Sequence, residues 1–245
     1  VDNVSFSYGR KKSRVLDGFS MQLEKGAVYG LLGKNGTGKS TLLYLMAGLL
    51  RPQTGKVYYK GVDVTLRNPR TLQDIFLVPE EFALPNVSLK QYVKLNAPFY
   101  PNFSDELLKN CLRDFDMNED IHLSELSMGQ KKKAFMCFAL ATNTSFLMMD
   151  EPSNGLDIPS KSQFRKVIAS GMSDEKAVII STHQVRDIDS LLDHVLIMDG
   201  SELLLNESVA TICKMLYFAE QGMNEPTDEA LYVQPSVQGN SVILP

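Results

Sequence analysis

The sequence predicts an α/β fold built on a parallel β-sheet. Short, continuously apolar runs are typical of strands that are covered on both faces. Such runs occupy residues 28–32, 75–78, 146–149, 178–181 and 195–198. Helical patterns follow several of them, at residues 39–49, 159–169 and 184–192, and Pro159 suits the first turn of the second helix. This alternation of strands and helices favours a parallel sheet covered by helices.

An antiparallel sheet is predicted near the N-terminus. Residues 4–8, 19–23 and 57–60 alternate or run in β-forming residues between turn signals. Further along the chain, Asp199-Gly200 lies between two apolar runs, which indicates the turn of a β-hairpin. The sequence therefore adds antiparallel strands to the parallel core.

A helical lobe is predicted between two strands of the core. From Leu77 to Ser145 the strand signals are weak. Residues 88–97 and 104–115 have helical patterns within this stretch. We therefore expect an inserted helical subdomain at about residues 80–140.

The net negative charge of the chain comes from its C-terminal segment. The chain has 245 residues and a formal net charge of -4. Residues 219–245 contain four acidic side chains and no Lys or Arg, so residues 1–218 sum to zero. We expect one folded domain at residues 1–218 and an acidic, flexible C-terminal tail at residues 219–245. The lack of a basic excess argues against nucleic acid as a partner.

The cysteines and the apolar segments indicate a cytoplasmic protein. Cys111, Cys137 and Cys213 are odd in number, far apart and outside any CxxC pattern, which argues against a disulfide framework or a zinc site. The apolar segments are shorter than the roughly 18 to 20 residues of a membrane span, and the N-terminus lacks a signal-peptide pattern. If the protein serves a membrane, we expect another chain to cross it.

A glycine-rich segment follows the first apolar run and opens a helix. It reads GKNGTGKST and consists of Gly33, Lys34, Asn35, Gly36, Thr37, Gly38, Lys39, Ser40 and Thr41. Its glycines allow successive backbone N–H groups to converge on phosphate oxygens. Lys39 would reach the terminal phosphates, and Ser40 would offer its hydroxyl to Mg²⁺. The alternative is a glycine-rich structural turn, which the strand-to-helix context makes the weaker interpretation.

A pair of acids ends the apolar run SFLMMDEP. A buried parallel strand would deliver Asp150 at its carboxyl end, where ligands of open α/β sheets bind, so Asp150 can hold Mg²⁺ through water. Glu151 is then the candidate that orients and deprotonates an attacking water. Acids also end strands as turn formers or helix caps, which is the alternative when this motif is taken alone. Together with the glycine-rich loop, the pair predicts a Mg²⁺–nucleotide site.

The motifs around this site resemble those of the ATP-binding subunits of ABC transporters. LSMGQ at residues 126–130 resembles the signature motif of that family, which is usually LSGGQ. SNGLD at residues 153–157, ending in Asp157, resembles the loop that follows the acid pair, and STH at residues 181–183 resembles the switch histidine. Tyr8 in FSYG matches the aromatic residue that stacks on adenine. Five motifs in the right order are much more specific than any one of them.

The resemblance implies a P-loop NTPase fold with a RecA-like core, and ATP and Mg²⁺ as the bound species. In this family two ATP-binding domains pair head to tail, so each nucleotide lies between the glycine-rich loop of one and the signature motif of the other. Ser127, Gly129 and Gln130 would then contact the γ-phosphate of an ATP bound to the partner. The residues expected to support catalysis are Lys39, Glu151 and His183, and those expected at the metal are Ser40, Glu80 and Asp150.

The resemblance also implies partners and a location. One partner would be a second ATP-binding subunit, either an identical copy or a paralogue. The other would be a separate transmembrane permease chain, which receives the motion through the helical lobe and selects the substrate. The chain would then lie at the cytoplasmic face of the cell membrane.

Two residues depart from the pattern of the family. Glu80 occupies the position of a usual glutamine; a carboxylate can still ligate Mg²⁺, but it adds negative charge beside the γ-phosphate. We therefore expect nucleotide binding to depend more strongly on the metal. Met128 replaces the first glycine of the signature motif, which keeps the backbone N–H but makes a positive φ costly.

Several side chains have a structural alternative to a functional role. Tyr8 can be a packed strand aromatic, and His183 can be a structural histidine. The three lysines at residues 131–133 span about 200° of a helix and cannot all face one ligand, so a solvated face is the favoured interpretation. Phe99, Tyr100 and Phe103 could dock a membrane-domain helix, although core packing is favoured.

Two rival functions follow from the same motifs. One is a soluble ABC ATPase that acts on ribosomes or DNA, against which the neutral charge of residues 1–218 argues. The other is a nucleotide-dependent regulator that hydrolyses little, which Glu80 and Met128 would suit. Retention of Glu151 argues against that regulator, because a pure sensor does not need the general base.

Overall fold

The structure is a computed structural model that describes residues 1–9, 13–222, 229–237 and 239–245. These residues belong to two compact units, Val1–Asn206 and Glu207–Pro245. The strands are β1 (Asp2–Phe6), β2 (Leu16–Phe19), β3 (Ala27–Leu32), β4 (Thr54–Lys56), β5 (Tyr58–Tyr59), β6 (Val62–Asp63), β7 (Ile75–Val78), β8 (Phe146–Asp150), β9 (Ala177–Thr182), β10 (His194–Asp199), β11 (Glu202–Ser208), β12 (Tyr217–Gln221), β13 (Tyr232–Pro235) and β14 (Asn240–Leu244). The α-helices are α1 (Lys39–Met46), α2 (Pro69–Leu72), α3 (Leu89–Asn96), α4 (Asp105–Asp114), α5 (Met128–Ala141), α6 (Ile158–Ser170) and α7 (Val209–Met215).

The central sheet has the strand order β11-β10-β3-β9-β8-β7. The pairs β10–β3, β3–β9, β9–β8 and β8–β7 are all parallel, which confirms the predicted parallel core. The predicted hairpin joins β10 to β11 at the edge. Because β3, β7, β8 and β9 are parallel, their carboxyl ends meet at one edge of the sheet, where α/β proteins bind ligands.

Helices cover one face of the central sheet, and the smaller β-sheet contributes to the core on the other. On the first face, Phe138 of α5 contacts the rings of Phe76, Tyr92, Tyr100 and Phe103 at centroid distances of 5.9, 5.0, 6.2 and 5.6 Å. Such aromatic clusters contribute large buried areas to a core. Core packing is therefore the correct interpretation of Tyr100 and Phe103, and only Phe99 of that group is exposed, at 68%.

The N-terminal antiparallel sheet has the order β2-β1-β4, and β5 pairs with β6 in a separate hairpin. Val4, Leu16 and Phe19 are buried together with Leu42 and Leu43 of α1, in the hydrophobic cluster on the second face of the central sheet. The strand predicted at residues 19–23 lies instead at Leu16–Phe19, and both of these residues enter the core. Antiparallel pairing is confirmed, with a shifted boundary.

The helical lobe follows β7 and forms as predicted. Ser88 caps α3 by accepting a hydrogen bond from the backbone N–H of Gln91 at 3.2 Å, and Ser104 caps α4 through Leu107 at 3.2 Å. Serine side chains satisfy donors that a helix start otherwise leaves unpaired. Beyond the lobe, Pro159 lies in the first turn of α6, as the sequence predicts.

The prediction of a helix at residues 184–192 is wrong. The structure has two short 3₁₀ turns there, Val185–Asp187 and Asp189–Leu191. Polar side chains accept hydrogen bonds from backbone N–H groups at the start of each 3₁₀ turn. Thr182 Oγ1 accepts from the N–H of Gln184 at 2.9 Å, and Asp189 Oδ1 accepts from the N–H of Ser190 at 2.6 Å. Such local bonds favour turns over a continuous helix.

The second unit contains more regular structure than the expected tail. Strands β12, β14 and β13 form an antiparallel sheet in that order, after the short helix α7. The pairs Phe218–Ile243 and Tyr232–Ile243 place β-forming side chains across the strands, which stabilises such sheets. These short β-forming runs lie among acidic and turn-forming residues, which is why the sequence predicts a flexible tail there. The tail residues 223–228 and 238 lie outside the described residues.

A membrane-spanning helix would need a long apolar stretch. Within the described residues, every helix is too short or too polar to cross a bilayer.

Candidate functional site

A cleft of about 350 Å³ lies at the carboxyl edge of the central sheet. Its lining residues are Tyr8, Val15, Asn35, Gly36, Gly38, Lys39, Ser40, Thr41, Glu80, Glu151, Asn154 and His183. The cleft thus brings together the glycine-rich loop, the second acid, the switch histidine and the aromatic residue that the sequence analysis singled out. Such concave sites with convergent polar groups are the usual location of ligand binding.

The glycine-rich loop connects β3 to α1 in the predicted manner. Gly38 is the cap of α1 and has a φ of 98°, which a side chain rarely permits. A Cβ on Gly33 would lie 2.5 Å from the carbonyl oxygen of Met198, so the close approach of β10 also requires glycine there. Thr37 closes the turn by donating its hydroxyl to the carbonyl of Lys34 at 2.9 Å. The loop is therefore shaped by its own sequence.

Lys39 is buried inside this loop, with 6% exposure. Its Nζ donates to the carbonyls of Gly33 at 2.7 Å and Lys34 at 3.1 Å. A buried ammonium needs such partners because transfer of an unpaired charge from water is costly. The loop consequently holds one positive charge at its centre, next to Ser40 in the first turn of α1.

Tyr8 lies at the mouth of the cleft and is 55% exposed. Its ring meets the ring of Phe6 edge to face, with centroids 5.0 Å apart, and its hydroxyl is 3.0 Å from Thr41 Oγ1. The contact with Phe6 fixes the ring, while more than half of the residue remains open. A packed strand aromatic would be more buried, so the exposure favours a stacking surface.

The acid pair is buried at the end of β8. Asp150 is 2% exposed and accepts a hydrogen bond from the hydroxyl of Ser181 in the neighbouring strand β9. Glu151 has a φ of 45°, which is unusual for a residue other than glycine. Its backbone N–H bonds to the carbonyl of Ser181 at 3.1 Å. The sheet thus holds a strained backbone at the position where the base is expected.

Glu151 contacts His183 directly. The Oε1 atom of Glu151 is 2.9 Å from Nδ1 of His183, at the end of β9. Glu151 is only 6% exposed, whereas a third of the His183 side chain is open to the cleft. The histidine therefore orients the carboxylate from one side and leaves the other side of the pair facing the cleft.

Glu80 follows β7 and enters the same cleft. Its Oε1 accepts a hydrogen bond from Asn154 Nδ2 at 3.0 Å. The Oδ1 atom of Asn154 in turn accepts from Gln184 Nε2 at 3.4 Å. Asn154 is a site residue that was not predicted individually, although it lies within the SNGLD segment that follows the acid pair.

The signature motif begins α5 and does not line this cleft. Ser127 caps the helix by accepting from the N–H of Gln130 at 3.3 Å, and Gln130 Oε1 accepts from the N–H of Ser127 at 3.0 Å. The Ser127 hydroxyl still carries a hydrogen to donate. Met128 is the first helical residue, so its backbone needs no positive φ, and its side chain is 63% exposed. The departure from glycine is thus compatible with the turn.

The loop after the acids ends at Asp157, which caps α6. Its Oδ1 accepts from the N–H of Ser160 at 2.9 Å, and hydrogen bonds from Ser160 lower the pKa of this carboxyl below its ordinary value. Asp157 lies outside the cleft lining, as do Gly129 and Gln130. The carbonyl of Gly155 lies near Gly129, 3.6 Å from the position of a Cβ, so this loop approaches the signature motif.

The lysine run after the signature motif is not a solvated face. Lys132 is buried and donates to the carbonyl of Asn154 at 2.8 Å. Lys133 contacts Gln163 at 3.3 Å and lies over the ring of Phe115 at 5.5 Å. The helical period gives the reason, because residue 132 falls on the buried stripe that continues at Met136 and Leu140.

The chain matches a family model described as "ABC transporter" over residues 16–154, which is more than half of its length. It belongs to the ABC transporter family. Within that family it is a nucleotide-binding domain, since the matched residues include the glycine-rich loop, the signature motif and the acid pair. The fold is the P-loop α/β fold that the sequence predicts.

Two curated members of the ABC transporter family show the extent of the similarity. The chain is 29% identical over 230 residues to the methionine import ATP-binding protein MetN of Carboxydothermus hydrogenoformans, covering 86% of this chain and 66% of that protein. It is 25% identical over 193 residues to the ABC transporter ATP-binding protein YtrB of Bacillus subtilis, covering 78% of this chain and 66% of that protein. The chain thus spans just under two thirds of the length of either relative.

Solved structures have the same fold. A structure described as the ATP binding subunit of an ABC transporter superposes with a TM-score of 0.77 and 21% identity, covering 87% of this chain and 91% of that one. A bacterial Atm1-family ABC exporter with ATP bound gives a TM-score of 0.74, covering 87% of this chain and 39% of that one. At this level of identity the likeness concerns the fold alone.

Proposed function

We propose that this chain is the ATP-hydrolysing subunit of an ABC transporter. The observation that carries the proposal is the cleft in which Lys39 and Ser40 of the glycine-rich loop face the Glu151–His183 pair. A phosphate-binding loop opposite a held carboxylate has the parts that nucleotide hydrolysis requires. The substrate of the cleft is therefore ATP, and its product is ADP with inorganic phosphate.

ATP would be held along the length of the cleft. Tyr8 offers an exposed ring for the adenine base, and such stacking contributes about 1–3 kcal/mol. The backbone N–H groups of residues 33–38 and the start of α1 bind the phosphates, since a helix start favours anions. Lys39 supplies the positive charge for the terminal phosphates.

The side-chain oxygens at this site suit Mg²⁺ as ligands. Ser40 offers a hydroxyl, Glu80 and Asp150 offer carboxylates, and Ser40 and Glu80 line the cleft. Within the described residues, no group of three or more His, Cys, Asp or Glu side chains forms a metal cage of its own. That agrees with Mg²⁺, which is usually held by one or two carboxylates, waters and substrate phosphates. When bound, Mg²⁺ neutralises charge that develops on the phosphates.

Glu151 would take the proton of the attacking water. Its carboxylate is held by His183, and its backbone is fixed to Ser181 of β9. A general base has to lie within hydrogen-bond reach of the proton that it removes, and the cleft places Glu151 on the lining. His183, which is also on the lining, would contact the γ-phosphate through Nε2, the ring nitrogen that does not bond to Glu151.

A second ATP-binding domain would complete the site. Ser127, Gly129 and Gln130 lie at the start of α5 and away from the cleft, so they are free to meet the ATP of a partner domain. The partner is a second copy of this chain or a paralogue. A separate membrane chain would receive the motion of the pair, which places this subunit at the cytoplasmic face of the membrane.

The direct test is phosphate release from ATP by the purified chain. We expect hydrolysis that requires Mg²⁺ and stops when EDTA removes the metal, because the bound metal neutralises the charge that develops on the phosphates. Binding of ATP should be measured in the same preparation with a fluorescent analogue. A folded chain that neither binds nor hydrolyses ATP would contradict the proposed function.

A further inference from the structure

A buried lysine lies behind the acids of the cleft. Lys132 belongs to the second turn of α5 and is 8% exposed. Its Nζ donates to the carbonyl of Asn154 at 2.8 Å and to that of Glu151 at 3.5 Å. Both bonds end on neutral oxygens, so the ammonium charge is available to the carboxylates around it.

Three carboxylates influence this ammonium. Burial lowers the pKa of Lys132, while Glu80, Glu151 and Asp150 oppose that change by favouring the charged form. The interaction is mutual, since the same positive charge makes Asp150 and Glu151 less costly to bury and attracts the exposed carboxylate of Glu80. The acids of the cleft therefore have a second compensating positive charge besides Lys39, in Lys132 behind them.

Asn154 connects Lys132 to Glu80. Its carbonyl accepts from Lys132, and its side-chain amide donates to Glu80 Oε1 at 3.0 Å. One residue thus contacts both the buried ammonium and the carboxylate that departs from the pattern of the family. The same loop begins at Glu151, whose carbonyl is the second acceptor of Lys132.

We propose that Lys132 is a positioning residue that offsets the charge of Glu80 at the nucleotide cleft and fixes the loop carrying Glu151 and Asn154. The inference rests on the proposed function, because it concerns how this cleft binds ATP and its metal. It explains how the chain tolerates a carboxylate beside the phosphates: a second charged residue, held by the same loop, balances it.

The two substitutions should change the affinity for ATP in opposite directions. Lys132→Gln removes a positive charge and should weaken ATP binding without Mg²⁺ by about tenfold. Glu80→Gln removes a negative charge and should strengthen it. The two effects should cancel in the double variant, which we expect to bind metal-free ATP within about threefold of the unmodified chain.

The experiment measures the affinity of the full chain for a fluorescent ATP analogue, first in EDTA and then over a range of Mg²⁺ concentrations. Lys132→Gln should also need more Mg²⁺ for half-maximal binding. The matched control is Lys133→Gln, which loses the same charge from the same helix at a side chain that contacts Gln163 and Phe115 instead. The control should change the affinity by less than about twofold.

Each outcome decides the inference. An affinity unchanged by Lys132→Gln, or a loss that Glu80→Gln does not reverse, would overturn it. If the unmodified chain binds no ATP, the proposed function fails. Thermal unfolding without nucleotide then decides the inference: we expect the shift of the double variant to be smaller than the sum of the single shifts, and additive shifts would overturn it.

Discussion

Replacing Glu151 with glutamine is expected to lower the rate of ATP hydrolysis by at least about 100-fold, the lower end of what a general base contributes. Glutamine keeps the size of the side chain and can still bond to His183, but it cannot accept the proton of the attacking water. Because Glu151 lies opposite the phosphate-binding loop, we expect Mg-ATP to bind as before. Phosphate release and analogue binding, measured on one preparation, separate the two effects.

The matched control for this variant is Glu202→Gln in β11. It makes the same chemical change at an exposed position of the sheet edge. Hydrolysis by this control should equal that of the unmodified chain. Retention of more than a tenth of the activity by Glu151→Gln would refute the assignment of the base.

Replacing Lys39 with methionine is expected to weaken ATP binding by about 100-fold. The ammonium is the charge that the glycine-rich loop encloses, and its bonds to the carbonyls of Gly33 and Lys34 hold it at the centre of the loop. A charge-assisted hydrogen bond contributes about 1.5–3 kcal/mol, and this lysine would make more than one to the phosphates. Methionine keeps the apolar stem and removes the charge.

Binding should be titrated at saturating Mg²⁺, and the melting temperature of the variant should be measured beside it. Lys56→Met, at an exposed position in β4, is the control that loses a surface charge. ATP affinity of Lys39→Met within about fivefold of the unmodified chain would contradict the role of this lysine.

The fold was predictable where local pattern and tertiary environment agree. The apolar runs became strands of one parallel sheet because both faces of the strands are buried: Met148 and Ile179 belong to one core cluster, and Met149 and Ile180 belong to the other. The glycine-rich loop was predictable because its glycines meet conditions that other residues cannot, such as the φ of Gly38. The caps Ser127 and Ser104 bond to backbone N–H groups within one turn of their own position, so they are local features of the sequence as well.

The rest depended on contacts between residues far apart in the chain. In the sequence, Lys132 is one of three consecutive lysines that look equivalent. Its role follows only from the tertiary contact between α5 and the loop of Asn154, where Lys132 donates to the Asn154 carbonyl. The helix expected at residues 184–192 failed because side chains such as Thr182 and Asp189 bond the local backbone. The C-terminal sheet pairs residues from both ends of its unit, a relation that an acidic, turn-rich composition conceals.

The structure favours one interpretation at each of three residues for which the sequence leaves alternatives open. Glu151 is buried, strained and bonded to His183, an arrangement that suits a working base better than a nucleotide sensor. Tyr8 is more open than a packed strand aromatic would be. Met128 adopts a helical backbone, so the signature motif keeps the N–H groups of its helix start.

The central claim is that two ATP-binding domains close around nucleotide, with the signature motif of each meeting the ATP of the other. The most direct test is the solution mass of the Glu151→Gln protein, measured by light scattering on a sizing column with and without Mg-ATP. Slow hydrolysis should trap the closed pair, so we expect the mass to double with Mg-ATP. Adding Ser127→Arg should keep the protein monomeric. A monomer mass with ATP bound would contradict pairing of two copies through this surface.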